Sequence, residues 1–294
     1  MTPIHGQISE VNVLSLLARG GLIPVIVPTV MGISFILVGW LVDPLFGIAP
    51  GLGIFTLMLA AFFANFWRDP DRPIPRDEGV IVSPADGHVM FVKRERAIGR
   101  RPSNKEMEKS EVDPLTGNWH AEPCDNPLSF ATEQRFEPVP EGEHGNDDVW
   151  RIAVFMSPLD VHVNRSPIAG ELFQMEHRTG KGKRRGPFLP AYKKESQFNE
   201  RVRSLFRRED GLIVEVTQIS GALARTIIPW AGEGSILRRG ERYGMIRLGS
   251  RVDVRVPAAK FQPCVIGADE NSQKYPKGEF VKAGSTILFR GEKS

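Results

Sequence analysis

Cysteine is scarce in this chain of 294 residues: Cys124 and Cys264 stand far apart, with no CxxC and no Cys/His spacing around them. That excludes a disulfide framework and gives no zinc-ligand pattern, so no metal is expected and both thiols read as ordinary ones in a reducing compartment. No Gly-x-Ser-x-Gly elbow occurs, which argues against a hydrolase built on that turn. A carrier lysine in a Met-Lys-Met or Asp-Lys-Ala setting is also missing, so a swinging-arm carrier is not supported. Charge is absent altogether from two long stretches, Gly21 to Trp40 and Pro44 to Trp67.

Each uncharged run reaches the roughly 20 apolar residues needed to cross a bilayer. Asp43 is the only charge between them, and Trp40, Phe66 and Trp67 lie where interfacial aromatics belong. Residues 1–72 are therefore expected to form an N-terminal membrane anchor, a helical hairpin with hydrophobic spans at about 21–42 and 45–67. Two runs in succession, with Arg19 the only Lys or Arg ahead of them, do not read as a secretory signal. A hairpin returns the chain to the face it left. The domain over 73–294 is then expected at one surface of the cell (inner) membrane, on the cytoplasmic side.

The formal net charge of +3 hides a polarised distribution. Arg178 to Arg208 carries eleven Lys and Arg against Glu195 and Glu200, whereas residues 96–149 are acidic, Pro-rich and aperiodic. Beside a membrane anchor the basic stretch implies attraction to anionic lipids, worth about 1 kcal/mol per cation near the surface. Nucleic acid is not expected as a partner, because no aromatic-basic stacking pattern accompanies the charge. The stretch 96–149 reads as an acidic surface insertion.

Beyond the anchor the pattern is that of short strands. Gly79 to Val92 reads as strand, Pro-Ala-Asp-Gly turn, strand; Arg151 to Met156, Ile168 to Phe173, Gly211 to Ile219 and Ala224 to Pro229 continue in the same way. The fold class expected is mainly β with few helices. Val281-Lys282-Ala283-Gly284 between short strands resembles the hairpins of lipoyl- and biotinyl-type barrels, so hybrid-barrel elements are expected there.

Chemistry concentrates at Gly249-Ser250. A serine hydroxyl can attack the carbonyl carbon before it, and glycine leaves that carbonyl open and the backbone free to strain. If the resulting ester eliminates across the serine Cα and Cβ, the new chain starts with dehydroalanine, which hydrolyses to a pyruvoyl group and ammonia. Gly234-Ser235 and Gly284-Ser285 also occur, so the pair alone decides nothing. Its companions do: Phe66-Trp67-Arg68-Asp69-Pro70-Asp71-Arg72, Ser83-Pro84-Ala85-Asp86-Gly87, Met156-Ser157-Pro158-Leu159-Asp160-Val161-His162-Val163-Asn164-Arg165 and Leu248-Gly249-Ser250. In this order and spacing they resemble the phosphatidylserine decarboxylases, in their shorter, archaeal-like branch.

The resemblance implies a membrane-bound, pyruvoyl-dependent decarboxylase of phospholipid biosynthesis. It would convert phosphatidylserine to phosphatidylethanolamine and CO2, after self-cleavage into a β chain 1–249 and an α chain 250–294 that stay associated; assembly into a homo-oligomer is left open. Ser250 would be the pyruvoyl precursor and the site of the Schiff base. His162 would be the base and later contact the substrate carboxylate, and Asp86 would orient its imidazole. Asp160, Asn199 and Glu200 are supporting candidates; Asn199-Glu200-Arg201 matches a short Asn-Glu-Arg segment of the family. Two positions depart from the pattern: Arg165 stands where longer relatives carry a second histidine, and Arg251 where Thr or Ser is frequent. The competing reading is a non-enzymic membrane adaptor, which would keep an intact chain and tolerate Ser250→Ala.

Overall fold

The computed structural model describes residues 16–42, 47–97, 136–146, 148–178, 191–192, 199–221, 226–247, 249–268 and 278–291. Most of the acidic insertion, from 98 to 135, and the basic residues at 179–190 and 193–198 lie outside them. The chain divides into two compact units, Met1–Asp71 and Arg72–Ser294.

In the first unit, α1 (Leu22–Leu41) and α2 (Ile48–Phe66) are long and apolar enough to cross a membrane. At 1.5 Å per residue each spans about 30 Å, the thickness of a bilayer core. Neither has a charged residue in its terminal turns or a side-chain cap, and Ile23, Leu37, Phe55 and Met58 point outward and exposed. The helices meet through small residues. A Cβ added to Gly53 would lie 2.7 Å from the Gly32 carbonyl oxygen and 2.6 Å from Ile36 Cγ1, so glycine is what lets the two backbones approach so closely.

The second unit is built from β1 (Val80–Val82), β2 (Gly87–Ala97), β3 (Phe136–Pro138), β4 (Asp148–Met156), β5 (Val163–Arg165), β6 (Gly170–Arg178), β7 (Arg201–Arg207) and β8 (Ile213–Ile219). It continues with β9 (Ile227–Pro229), β10 (Ser235–Leu237), β11 (Arg242–Ile246), β12 (Ser250–Pro257), β13 (Phe261–Pro263), β14 (Phe280–Val281) and β15 (Ile287–Gly291). One large sheet runs β10-β6-β7-β8-β12-β4-β2-β14, with β3 on β2; two small sheets run β1-β15-β13 and β5-β11-β9. No sheet of described residues closes into a barrel. The expected barrel hairpin is opened at its turn, because β14 pairs with β2 in the large sheet whereas β15 pairs with β1 and β13 in a small one.

β12 lies in the middle of the large sheet, between β8 and β4. Its alternation assigns two faces. Val252, Val254 and Val256 enter the main core with Ile152, Val154, Met156, Val214 and Val216. Arg251, Asp253 and Arg255 take the opposite face, and they too are buried. There Asp253 accepts from Arg151 Nε at 2.9 Å and Arg251 Nη2 at 2.7 Å, while Glu215 accepts from Arg203 Nη2 at 3.0 Å and Arg255 Nη1 at 2.5 Å. Burial opposes the charge on both carboxylates. The guanidinium groups outweigh it, and each titrates at about 2.

Candidate active site around Ser250

Ser250 opens β12, fully buried, directly opposite Met156 at the end of β4. Gly249 before it has φ +60°, in the left-handed region, although a Cβ there would meet nothing within 4 Å. Backbone conformation, and not space, therefore calls for glycine at this position. The chain turns sharply at Gly249 and hands Ser250 to the core face of the sheet, where its Oγ donates to Met156 Sδ at 3.3 Å.

That sulfur belongs to a buried polar chain. Asn164 Nδ2 lies 4.0 Å from Met156 Sδ and donates to the Pro84 carbonyl at 3.3 Å, while Asn164 Oδ1 accepts from Gln218 Nε2 at 2.8 Å. The Arg165 N–H also donates to the Pro84 carbonyl, at 2.9 Å. The Ser83–Gly87 turn, the Met156–Arg165 segment and the Gly249-Ser250 pair thus meet at one end of the large sheet.

His162 is completely buried just ahead of β5, and its carbonyl accepts the Ile246 N–H at 3.2 Å from β11, the strand that leads toward Gly249. Its Nδ1 lies 2.8 Å from the Asp160 carbonyl oxygen. A carbonyl only accepts, so Nδ1 carries the proton and Nε2 holds the lone pair. The imidazole is therefore set as a base by a backbone oxygen. The Asp160 carboxylate acts separately, accepting the Ser157 N–H at 2.7 Å and so closing the Ser157–Asp160 turn.

Asp86, expected to orient His162, is engaged elsewhere. Both of its oxygens accept from Arg72, one of them from Nη2 at 2.7 Å, and Oδ1 also accepts the Ala283 N–H at 2.8 Å. The structure thus gives Asp86 a clamp between Arg72 and the β14–β15 turn, and gives the orientation of His162 to the Asp160 backbone. Asn199 Nδ2 donates to the Ser220 carbonyl at 2.8 Å, and Glu200 pairs with His177 Nε2 at 2.9 Å. Arg165, also buried, donates to the Gly240 carbonyl at 3.1 Å.

Sequence reasoning assigned no role to Met156, Asn164, Gln218 or Arg72. The first two and Arg72 lie inside the motif segments, which was the available signal; Gln218, near the end of β8 and outside every motif, had none. Among the described residues no three His, Cys, Asp or Glu side chains gather as a metal site. Two chemical capacities are present: a buried serine oxygen next to its own preceding carbonyl and, on the Met156–Arg165 segment, a buried imidazole with a proton-accepting nitrogen.

Residues 59–289 match the family described as phosphatidylserine decarboxylase. Curated relatives named phosphatidylserine decarboxylase proenzyme include one from Thermobifida fusca, 46% identical over 81% of this chain and 78% of its own length. One from Erythrobacter litoralis is 38% identical over 79% and 74%, and one from Symbiobacterium thermophilum 33% over 81% and 83%. No solved structure matches. With the family description covering most of the chain and these relatives aligned along most of theirs, the chain belongs to the phosphatidylserine decarboxylase family.

Proposed function

We propose that this chain is a membrane-bound phosphatidylserine decarboxylase made as a proenzyme, which cuts itself between Gly249 and Ser250 and then converts phosphatidylserine to phosphatidylethanolamine and CO2. The observation that carries the reading is the left-handed Gly249 placed before a buried serine whose neighbours in the polar chain are a thioether and amides. The turn leaves the Gly249 side open.

Self-cleavage needs a base, and the tautomer set by the Asp160 carbonyl supports His162 in that role, with Nε2 as the atom that would take the Ser250 proton. Ser250 Oγ adds to the Gly249 carbonyl carbon, the C–N bond breaks, and the proton returns to the departing amine. The hydrogen bond to Met156 sulfur is weak, because a thioether is a poor acceptor. It holds the hydroxyl in one rotamer yet releases it at little cost.

The site fits a pyruvoyl group at residue 250. The first residue of β12 stays paired with Met156 of β4 after a cut, and open space at Gly249 gives the new ends room to part. When formed, that group supplies the electron sink that loss of CO2 from an α-amino acid requires. Around it, His162 would face the substrate carboxylate and hold the proton for the substrate Cα, and the buried Met156–Asn164 contact would keep bulk water away. The clamp of Asp86 on Arg72 and Ala283 would fix the α chain against the β chain. The two apolar helices would hold the domain at the cytoplasmic face of the cell membrane, where the basic stretch from Arg178 to Arg208 meets anionic lipid.

An intact-mass measurement on the protein purified from membranes tests the cut, with two pieces expected at 1–249 and 250–294, the smaller one blocked to Edman degradation. Release of labelled CO2 from phosphatidylserine carrying a labelled carboxyl carbon tests the reaction. A fully active protein of one unbroken chain, or a cleaved one that releases no CO2, would overturn the corresponding half of the reading.

A further inference from the structure

The Asn199-Glu200 segment holds the residue that follows β8. Asn199 Nδ2 donates to the Ser220 carbonyl at 2.8 Å, and the Ser220 N–H donates to the Glu200 carbonyl at 2.9 Å. Ser220 follows directly on β8, which runs antiparallel to β12 with Ile219 opposite Arg251 and Gln218 opposite Val252. Carried one step further, the same register sets Ser220 next to Ser250.

The faces agree as well. Side chains alternate along a strand. On β8, Val216 enters the core and Gln218 reaches Asn164; on β12, Val252 and Val254 enter the same core and Ser250 reaches Met156. Ser220 therefore falls on the face that carries the Ser250 hydroxyl. It is fully buried, and its own hydroxyl has no hydrogen-bond partner among the described residues. A buried hydroxyl left unbonded weakens the fold around it, so such a group calls for an account. The hydroxyls of Ser204 and Tyr243 share that condition. Ser204, however, faces Val216 in mid-sheet and the Tyr243 ring packs on Phe206, whereas the β8–β12 register, extended by one residue, brings Ser220 to the reacting serine.

We propose that Ser220 is a catalytic hydrogen-bond donor in self-cleavage, acting on the Gly249 carbonyl oxygen as it takes on negative charge, with Asn199 as the residue that positions it. The inference rests on the self-cleavage reading above. When Ser250 Oγ bonds to the Gly249 carbonyl carbon, its proton passes to His162 and the carbonyl π pair moves onto oxygen. Collapse restores the carbonyl, breaks the bond to the Ser250 nitrogen and returns the proton to that amine. Ser220 keeps its proton throughout and contributes a hydrogen bond that strengthens as charge develops, in a site from which water is excluded. Asn199 and Glu200 fix both backbone groups of Ser220, so its side chain starts from one position.

The test follows the full-length chain, pulse-labelled during cell-free synthesis into nanodiscs, as it converts to fragments on a denaturing gel. Ser220→Ala is expected to slow conversion roughly 10²-fold, the loss usual for one oxyanion donor. Ser220→Thr, which keeps the hydroxyl, is expected to restore most of the rate, and Asn199→Ala to slow it less than Ser220→Ala does. In an uncleavable Ser250→Ala background, Ser220→Ala should leave Tm unchanged or raise it, since it removes an unbonded hydroxyl. Parent-like conversion by Ser220→Ala would overturn the proposal. So would a full-length Ser220→Ala product that hydroxylamine splits, because a trapped ester places the defect after the addition step. Failure of the parent chain itself to convert would instead refute self-cleavage, and this proposal with it.

Discussion

At the scale of single residues, Gly249 and His162 make separable contributions. Gly249 has room for a side chain but a backbone that disfavours one, so the cost of substitution is conformational, about 1–2 kcal/mol for an ordinary L-residue. Gly249→Asn, which tolerates the left-handed region, should retain more self-cleavage than Gly249→Val, measured as the fraction of full-length chain on a gel after matched expression. Equal behaviour of the two would place the requirement in sterics at the carbonyl. For His162, Asn keeps an N–H donor near the Nδ1 position and lacks a base. His162→Asn is therefore expected to fold with a parent-like Tm and remain uncleaved. Ser250 and His162 could be singled out from the sequence because few residue types can do the chemistry proposed for them. Met156, Asn164 and Gln218 could not, since a methionine ending a strand and amides near turns look like packing until the strands are laid side by side. Asp86 was expected from the sequence to orient His162, whereas its carboxylate pairs with Arg72: an Asp-Gly turn does not announce that an arginine 14 positions earlier will claim it.

At the scale of the element, β12 decides the most. Its Arg-Val-Asp-Val-Arg-Val alternation suggests one buried and one wet face, yet both are buried, and on the second Arg151, Arg203, Arg251 and Arg255 pair with Asp253, Glu215, Glu95 and Glu176. Sequence alternation reports the faces of a strand and not what covers them. Removing one member leaves a buried charge without its counterpart: Asp253→Ala is expected to cost about 3–5 kcal/mol, read from denaturant unfolding of the Ser250→Ala proenzyme. The same carboxylates give a sign for pH. Asp253 and Glu215 titrate at about 2 when folded, below their ordinary values. Their contribution is thus complete above about pH 4.5 and is lost as pH falls toward 2. Acid titration followed by intrinsic fluorescence should show stability declining over that interval, and Asp253→Asn should flatten part of the decline. The strands themselves were largely legible from β-branched runs and turns. The barrel was not, because the residues of the β14–β15 turn cannot tell whether the two strands remain in one sheet.

At the scale of the molecule, the sequence carries two kinds of signal, 20 and 19 uncharged residues in the two helices and four motifs that share an order from Phe66 onward. What the sequence did not reveal is how deeply the last segment is woven into the rest. Residues 250–294 contribute β12 to the middle of the large sheet, β14 to its edge and β13 and β15 to a small sheet with β1. A cut before Ser250 would release a chain end but no strand, since departure of the fragment would expose two ladders flanking β12 and the core valines beneath them. The fragments should therefore remain together through native purification and separate only on unfolding. Unfolding of the cut protein then produces two chains from one, so its equilibrium depends on concentration, and that of the uncut Ser250→Ala protein does not. Each tenfold dilution of the cleaved form should lower Tm by roughly 3–6 °C, from about 1.4 kcal/mol per decade and 2–4 °C per kcal/mol for a domain of this size. Calorimetry of both forms in detergent across a hundredfold concentration range checks this, and a cleaved protein whose Tm does not move would mean that the short chain is not what holds the sheets together.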